Sequence, residues 1–208
     1  MKVLIACEYS GIVRDAFINN GHDAMSCDIL PTESEGSHYQ GDVFDILGEG
    51  WDLMIAHPPC TFLSNAGIRW FNEEKYGGKA IERKRKRLLA LEFVKKLYEC
   101  NIPKVAIENP VGYLNNNWRK PDQIIQPYHF GETESKRTCL WLKNLPLLNH
   151  TDVVEPKVYG YFKNGKKKGQ PIYGTQYCLF SKDRGKIRSK FFIGIAKAMA
   201  NQWGTPKP

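Results

Sequence analysis

Apolar and polar positions divide this chain into short buried runs separated by polar stretches. Lys2 to Cys7 (KVLIAC) is a brief apolar run bounded by turn residues, the pattern of a strand covered on both faces of a parallel sheet. A helix is predicted from about Gly11 to Asn20, stopped by Asn20-Gly21. There follow a strand over about Asp23–Asp28, a loop rich in Ser, Glu and Gly, a short segment at Asp42–Ile46 and an apolar strand Leu53–Ala56. His57-Pro58-Pro59 ends that strand, because proline lacks an amide donor and restricts the residue before it. Thr61 to Gly78 reads as loop, and a long basic helix is expected over roughly Ile81 to Cys100, with Leu88, Leu89, Leu91, Phe93, Val94 and Leu97 as a broad apolar stripe. Val105–Ile107 is the next strand, with Glu108-Asn109-Pro110 at its end and the turn fixed by Asn109-Pro110. Thr138–Leu142 and Tyr173–Phe180 read as strands, Val158–Lys168 as a hairpin or flexible excursion around Asn164-Gly165, and Ser189 to Trp203 as the closing helix.

Strands alternating with helices imply crossover units, hence an α/β fold with a mainly parallel sheet. The 208 residues suit one compact domain, with no repeat or low-complexity linker to mark a boundary. The organisation expected is a core over 1–149, a small basic insert over 150–187 and a C-terminal helix over 188–208 returning to the core. No apolar run approaches the roughly 18–20 residues needed to cross a bilayer, so no membrane partner is expected and a cytoplasmic location is. Six cysteines (Cys7, Cys27, Cys60, Cys100, Cys139 and Cys178) form no CxxC pair, which argues against a zinc ribbon or a disulfide framework and for reduced thiols. No bound metal is implied. Nothing in the pattern sets the oligomeric state, and a monomer suffices.

Charge changes the picture, because 30 Lys+Arg against 22 Asp+Glu leave a net +8 and the surplus is clustered. The clusters are Arg83 to Arg87, Lys163 through Lys168, and Lys182 through Lys190. One such cluster is as well explained by a solvated helix face or a loop tip, whereas three together favour a nucleic acid.

In an open α/β sheet, ligands bind beyond the carboxyl ends of the strands, near the point where strand order reverses. The residues there are Cys7-Glu8-Tyr9-Ser10-Gly11, Asp28, Asp42, His57-Pro58-Pro59-Cys60 and Glu108-Asn109-Pro110. Ser10-Gly11 opening a helix would let backbone amides approach a ligand carboxylate. Asp28 suits ribose hydroxyls and Asp42 an exocyclic adenine amine, although either acid equally suits a cap or turn. Two prolines would present the Cys60 thiol at a fixed place beside the sheet, whereas the other cysteines read as small buried hydrophobes. Glu108, on a strand expected beside that of Cys60, would have its pKa raised by burial and share a proton with a ring nitrogen. A helix cap or ion-pair partner is its other reading.

These strand ends, in this order, resemble the cytosine-C5 DNA methyltransferases. Ala6–Gly11 looks like a divergent first cofactor motif, Pro59-Cys60 matches the nucleophile motif and Glu108-Asn109 the Glu-Asn motif. Arg137 in Ser135-Lys136-Arg137-Thr138 looks like the second arginine of a Gln-x-Arg-x-Arg motif. His57–Gly67 (HPPCTFLSNAG) and Gln126–Leu148 are similar to short methyltransferase-like proteins of bacteriophages. The resemblance implies a Rossmann-like S-adenosylmethionine-dependent methyltransferase fold and DNA as partner, within a bacterial host's cytoplasm. It implies Cys60, Glu108, Asn109 and Arg137 as catalytic residues. It implies contacts to S-adenosylmethionine from Cys7, Glu8, Tyr9, Ser10, Gly11, Asp28, Ile29, Asp42, His57, Pro58, Arg188 and Ser189. The chain departs from the family where Cys7 to Gly11 replaces Phe-x-Gly-x-Gly and where Ile187-Arg188-Ser189-Lys190 replaces Gly-Asn-Ser. Arg188 or Lys190 suits the extra negative group of carboxy-S-adenosylmethionine, which would give 5-carboxymethylcytosine. The segment after Arg137 is far shorter than a full target-recognition region.

By the resemblance, Cys60 adds to C6 of a flipped cytosine, Glu108 binds or protonates N3, Asn109 holds loop and base, and Arg137 contacts O2 and braces Glu108. Asn65 and Arg69 in the loop after Cys60, with Lys163, Lys166, Lys167 and Lys168, are the expected DNA contacts. Two other readings stay open: a free pyrimidine nucleotide as substrate, and a catalytically silent DNA-binding relative.

Overall fold

The computed structural model describes residues 1–174 and 191–204. Seven strands form one mixed, mostly parallel sheet: β1 (Lys2–Ala6), β2 (Asp23–Asp28), β3 (His38–Gln40), β4 (Leu53–Ala56), β5 (Lys104–Pro110), β6 (Gln123–Ile125) and β7 (Thr138–Lys143), in the order β3-β2-β1-β4-β5-β7-β6. Helix α1 (Ile12–Asn19) links β1 to β2, the short α2 (Glu73–Tyr76) and the long α3 (Gly78–Glu99) lie between β4 and β5, and α4 (Tyr113–Asn117) follows β5. Helix α5 (Ile193–Trp203) closes the described chain. The strands from β3 to β5 are parallel, and β7 runs antiparallel to both β5 and β6. This α/β architecture is compatible with a Rossmann-like fold.

Alternation along each strand sends its residues to two separate cores. Val3, Ile5, Leu53, Ile55, Ala106 and Leu140 face α1 and α5, meeting Val13, Phe17, Met199 and Trp203. Leu4, Ala6, Met54, Ala56, Val105, Ile107 and Trp141 face α3, meeting Leu91, Val94 and Leu97. A sheet covered on both faces needs apolar residues at consecutive positions, which is why β1 and β4 read as unbroken apolar runs.

Several predicted elements change on contact with this framework. Helix α3 begins at Gly78, and its stripe is narrower than expected: Leu91, Val94 and Leu97 are buried, whereas Leu88 and Leu89 are each 55% exposed. Only one line of the helix rests on the sheet, and Leu89 instead lines a cavity. Glu108, Asn109 and Pro110 do not form a turn but continue β5, because antiparallel β7 pairs with them through Leu140, Cys139 and Thr138. The expected loop Thr61–Gly78 holds a 3-10 segment over Asn65–Phe71 followed by α2. The expected excursion is an antiparallel ribbon of β8 (Val158–Tyr161) and β9 (Pro171–Tyr173). The expected strand Tyr173–Phe180 lies outside the described residues beyond Gly174, as do Cys178, Arg188 and Ser189. Among the described residues no helix is long and apolar enough to cross a membrane.

Arg14 fastens α1 to the loop between β2 and β3. The side chain is fully buried, and its guanidinium donates to Ser34 Oγ and the Glu35 carbonyl at 2.7 Å each, to Asp15 Oδ1 at 2.8 Å and to Ser26 Oγ at 3.3 Å. Gly36, at φ 135°, lets the backbone pass so closely that an added Cβ would lie 2.8 Å from the guanidinium carbon. Buried cations persist only when their donors are satisfied, and here Ser34 and Glu35 of the held loop do so together with Asp15 of α1 and Ser26 of β2. We expect Arg14→Met to destabilise the fold by about 2 kcal/mol or more. Amide exchange across Thr32–Ser37 should quicken more than in β4, and uniform exchange rates in the variant would remove the fastening role.

Candidate active site

The order of strands reverses between β1 and β4, whose carboxyl ends open a crevice at the site where such sheets bind ligands. On the β1 side the chain turns sharply, with Cys7 at φ 58° and Gly11 at φ 74°. Glu8 is buried and accepts hydrogen bonds from the amides of Val13 at 2.8 Å and Arg14 at 3.3 Å and from Ser10 Oγ at 3.1 Å. This corrects the expectation that the first turn of α1 receives a ligand carboxylate, because the protein's own carboxylate fills it. The Tyr9 carbonyl accepts from the Glu33 amide and the Ser10 carbonyl from Ser34 Oγ, so this turn is tied to the loop held by Arg14.

Asp28, Ile29 and Asp42 share a cavity of about 460 Å³ with Cys7, Cys27, Pro59, Phe62, Lys86, Leu89 and Phe93. That volume lies within the range of small-ligand sites, roughly 300–1,000 Å³. One oxygen of each acid holds its own turn: Asp28 Oδ1 accepts from the Leu30 amide and Asp42 Oδ1 from the Phe44 amide, both at 3.0 Å. Phe62, Leu89 and Phe93 give the cavity apolar walls. Burial, reinforced by the charge of Asp28, pushes the Cys7 thiol far up, and the same two causes push Cys27 up to about 11. Neither cysteine is a thiolate at neutral pH.

Cys60 is exposed, and its carbonyl accepts from the amides of Leu63 at 3.0 Å and Ser64 at 2.8 Å. The side-chain amide of Asn109, itself buried, donates to the Pro58 carbonyl at 2.7 Å. Tyr113 donates its amide to the Leu63 carbonyl at 2.7 Å, and Gly112 passes so close that a Cβ there would meet that carbonyl at 2.1 Å. The segments after β4 and β5 are thus laced together, and Cys60 and Glu108 lie at the same end of adjacent strands.

Register explains the acid. Ala56 pairs with Ile107, so His57 comes beside Glu108, with Nδ1 3.3 Å from Oε2. The His57 ring packs 4.5 Å from that of Phe191, and its buried Nε2 has no hydrogen-bond partner among the described residues. Burial alone would raise the Glu108 carboxyl, as the sequence suggested. The His57 hydrogen bond, the Lys136 ammonium and the His57 charge together outweigh it, and the carboxyl sits below its ordinary value.

Arg137 does not brace Glu108. Counting in twos from Leu140, which pairs with Glu108, places Lys136 on the Glu108 face of the sheet and Arg137 on the face of Cys139. The electrostatic partners agree, since Lys136 acts on Glu108 and Arg137 on Cys139. Sequence reading passed over Lys136, although period-two alternation from Leu140 was the signal that would have found it. Asn65 and Arg69 lie on the 3-10 segment just after Cys60, with Arg69 over Trp70 at 4.8 Å. Lys163, Lys166, Lys167 and Lys168 sit instead between the strands of the separate β8–β9 ribbon.

A carboxyl depressed in the folded state contributes stability that is present above its ordinary value of 4.5 and is lost as pH falls through the depressed one. We expect His57→Phe to move Glu108 upward in a carbon-13 NMR titration and to shrink the loss of stability below pH 4.5. An unmoved Glu108 would remove His57 as the group that holds it. No family model matches the sequence and no curated protein does, so the reading of this site rests on its own chemistry.

Proposed function

We propose that the chain transfers a methyl group from S-adenosylmethionine to carbon 5 of cytosine in DNA, with Cys60 as the covalent nucleophile. The observation that carries this reading is the shared sheet edge, where a thiol behind two prolines and the buried Glu108-Asn109 pair end adjacent parallel strands.

The cavity residues fit an adenosine. Asp28 at the end of β2 suits ribose hydroxyls, Asp42 suits the adenine amine, and Phe62, Leu89 and Phe93 suit the faces of the base. The donor's own carboxylate must find a partner other than the first turn of α1, whose amides Glu8 already occupies. When bound, S-adenosylmethionine supplies an electrophilic methyl group on a sulfonium sulfur.

The rest is work for the chain's own residues. Cys60 as thiolate adds to C6 of a cytosine taken out of its stack. Glu108, after taking up a proton, hands it to N3 as the ring accepts the electron pair. Carbon 5 would take the methyl group as the donor's sulfur–methyl bond breaks and leaves a neutral thioether; a base then removes the C5 proton, that electron pair forms the C5=C6 bond, Cys60 leaves with the C6–S pair, and N3 returns its proton to Glu108. Lys136 keeps Glu108 ionised between turnovers, and Asn109 fixes the loop that carries the thiol.

Cys60→Ser should lower transfer by on the order of a thousandfold or more with the fold retained. DNA containing 5-fluorocytosine should trap the wild-type chain as a covalent complex, and full transfer by the serine variant would end the mechanism. Running the tritium-transfer assay on both DNA and dCMP decides the substrate, with DNA expected to be labelled. Asp28→Asn should weaken S-adenosylmethionine binding roughly tenfold by calorimetry, the worth of one charged hydrogen bond.

A further inference from the structure

A second cavity of about 460 Å³ opens between α3 and the segment after Cys60, lined by Phe62, Trp70, Tyr76, Lys79, Arg83 and Lys86. Phe62 and Lys86 line this groove and the Asp28 cavity alike, so the two share a wall. Lys79, Arg83 and Lys86 recur at helical spacing and share one face of α3. Glu82 also lines the groove, but Arg85 engages both its oxygens at 2.8 Å and Lys86 lies 3.8 Å away, which offsets its charge.

Trp70 is the telling residue. Of the five tryptophans, Trp51, Trp141 and Trp203 are buried and Trp118 is half-buried, whereas Trp70 is 42% exposed. Its indole therefore presents apolar surface to the groove that it lines. Its ring lies 4.9 Å from that of Tyr76, and Arg69 sits over it. An exposed indole among cations is a platform for a nucleic-acid base, since stacking and phosphate pairing are then satisfied together. A duplex hides the faces of its bases, so the platform suits only an unpaired strand.

We propose that this groove holds an unpaired nucleotide of a single DNA strand, its base on Trp70 and its phosphates on Lys79 and Lys86. The choice of DNA rests on the function proposed above, whereas the preference for an unpaired strand rests on the groove alone. Arg83 donates to the Thr61 carbonyl and Arg87 to the Phe62 carbonyl, both at 2.9 Å, so the groove wall and the Cys60 segment are one piece. A strand seated here therefore continues toward Cys60 without crossing a hinge.

The test uses the full chain and a thymidine oligonucleotide of roughly a dozen residues, within the site sizes such grooves cover. The single strand should quench the tryptophan fluorescence and bind more tightly than its duplex with oligodeoxyadenosine. By anisotropy of a labelled strand, Trp70→Ala should bind roughly tenfold more weakly. Trp70→Phe should restore most of that loss, and Lys79→Gln should lower the slope of log affinity against log salt by about 0.7. Equal affinity for duplex and single strand, or an unchanged Trp70→Ala, overturns the proposal. The probe contains no cytosine, so strand binding with no trapping by 5-fluorocytosine keeps the groove and removes the methyltransferase reading. Trapping with no preference for the single strand does the reverse.

Discussion

Parallel strands have no tight turn to set their alignment, so the register of β4 against β5 must come from packing and from contacts beyond their ends. Here Met54 and Ala56 meet Val105 and Ile107 on the α3 side, while Leu53 and Ile55 meet Ala106 on the other. A slip of one residue would exchange the two cores and carry Glu108 away from His57 to the α3 face. The Asn109 amide on the Pro58 carbonyl adds a pin just past the last paired residues. Because that bond is buried, it is worth more than a surface contact and leaves an orphaned carbonyl if removed. The thiol, the carboxylate and the imidazole keep their relative places through this one alignment.

The electrostatics of the sheet edge follow from which face each group occupies. Toward β2 and β3, acids cluster with thiols in a partly apolar cavity, and the thiols are held protonated. Toward β7, a carboxylate meets an imidazole and an ammonium and is held ionised. A buried carboxylate with no cation would have moved the other way. Pairing Glu108 with His57 as well as with a permanent cation also places an imidazole nitrogen 3.3 Å from its carboxylate.

Much of this was legible in the sequence, for identifiable reasons. β1, β2 and β4 were placed to within a residue because burial on both faces produces apolar runs bounded by turn residues. β3 and β6, at three residues each, are too short to show any period, and they exist because neighbouring strands offer open edges. The end of β5 was misplaced because Asn-Pro signals a turn locally, while the antiparallel partner supplying the pairing is almost thirty residues away in sequence. The strand-end residues Asp28, Asp42, Cys60 and Glu108 were picked out by type and position. The direction of the Glu108 shift was not, since it depends on His57 and Lys136 arriving from two other segments. Tertiary partners carry no local signature.

The first turn of α1 bears on how this crevice can hold a ligand at all. Sheets of this class commonly offer that turn to a phosphate or carboxylate, with glycines letting the ligand reach the amides. Here Glu8 reaches those amides itself, with Ser10 donating to the same carboxylate. The helix dipole is therefore neutralised from within, and the strained turn through Cys7 and Gly11 serves to bring Glu8 inward. The first turn of α1 is therefore closed to an anionic group, and the cavity beside it offers side chains such as Asp28 and Asp42 instead. Lys86 stands on α3 in the wall shared by the Asp28 cavity and the aromatic groove, so one cation contributes to the field of both. The basic helix thus borders both cavities, and its charges belong to their walls as much as to the solvated surface.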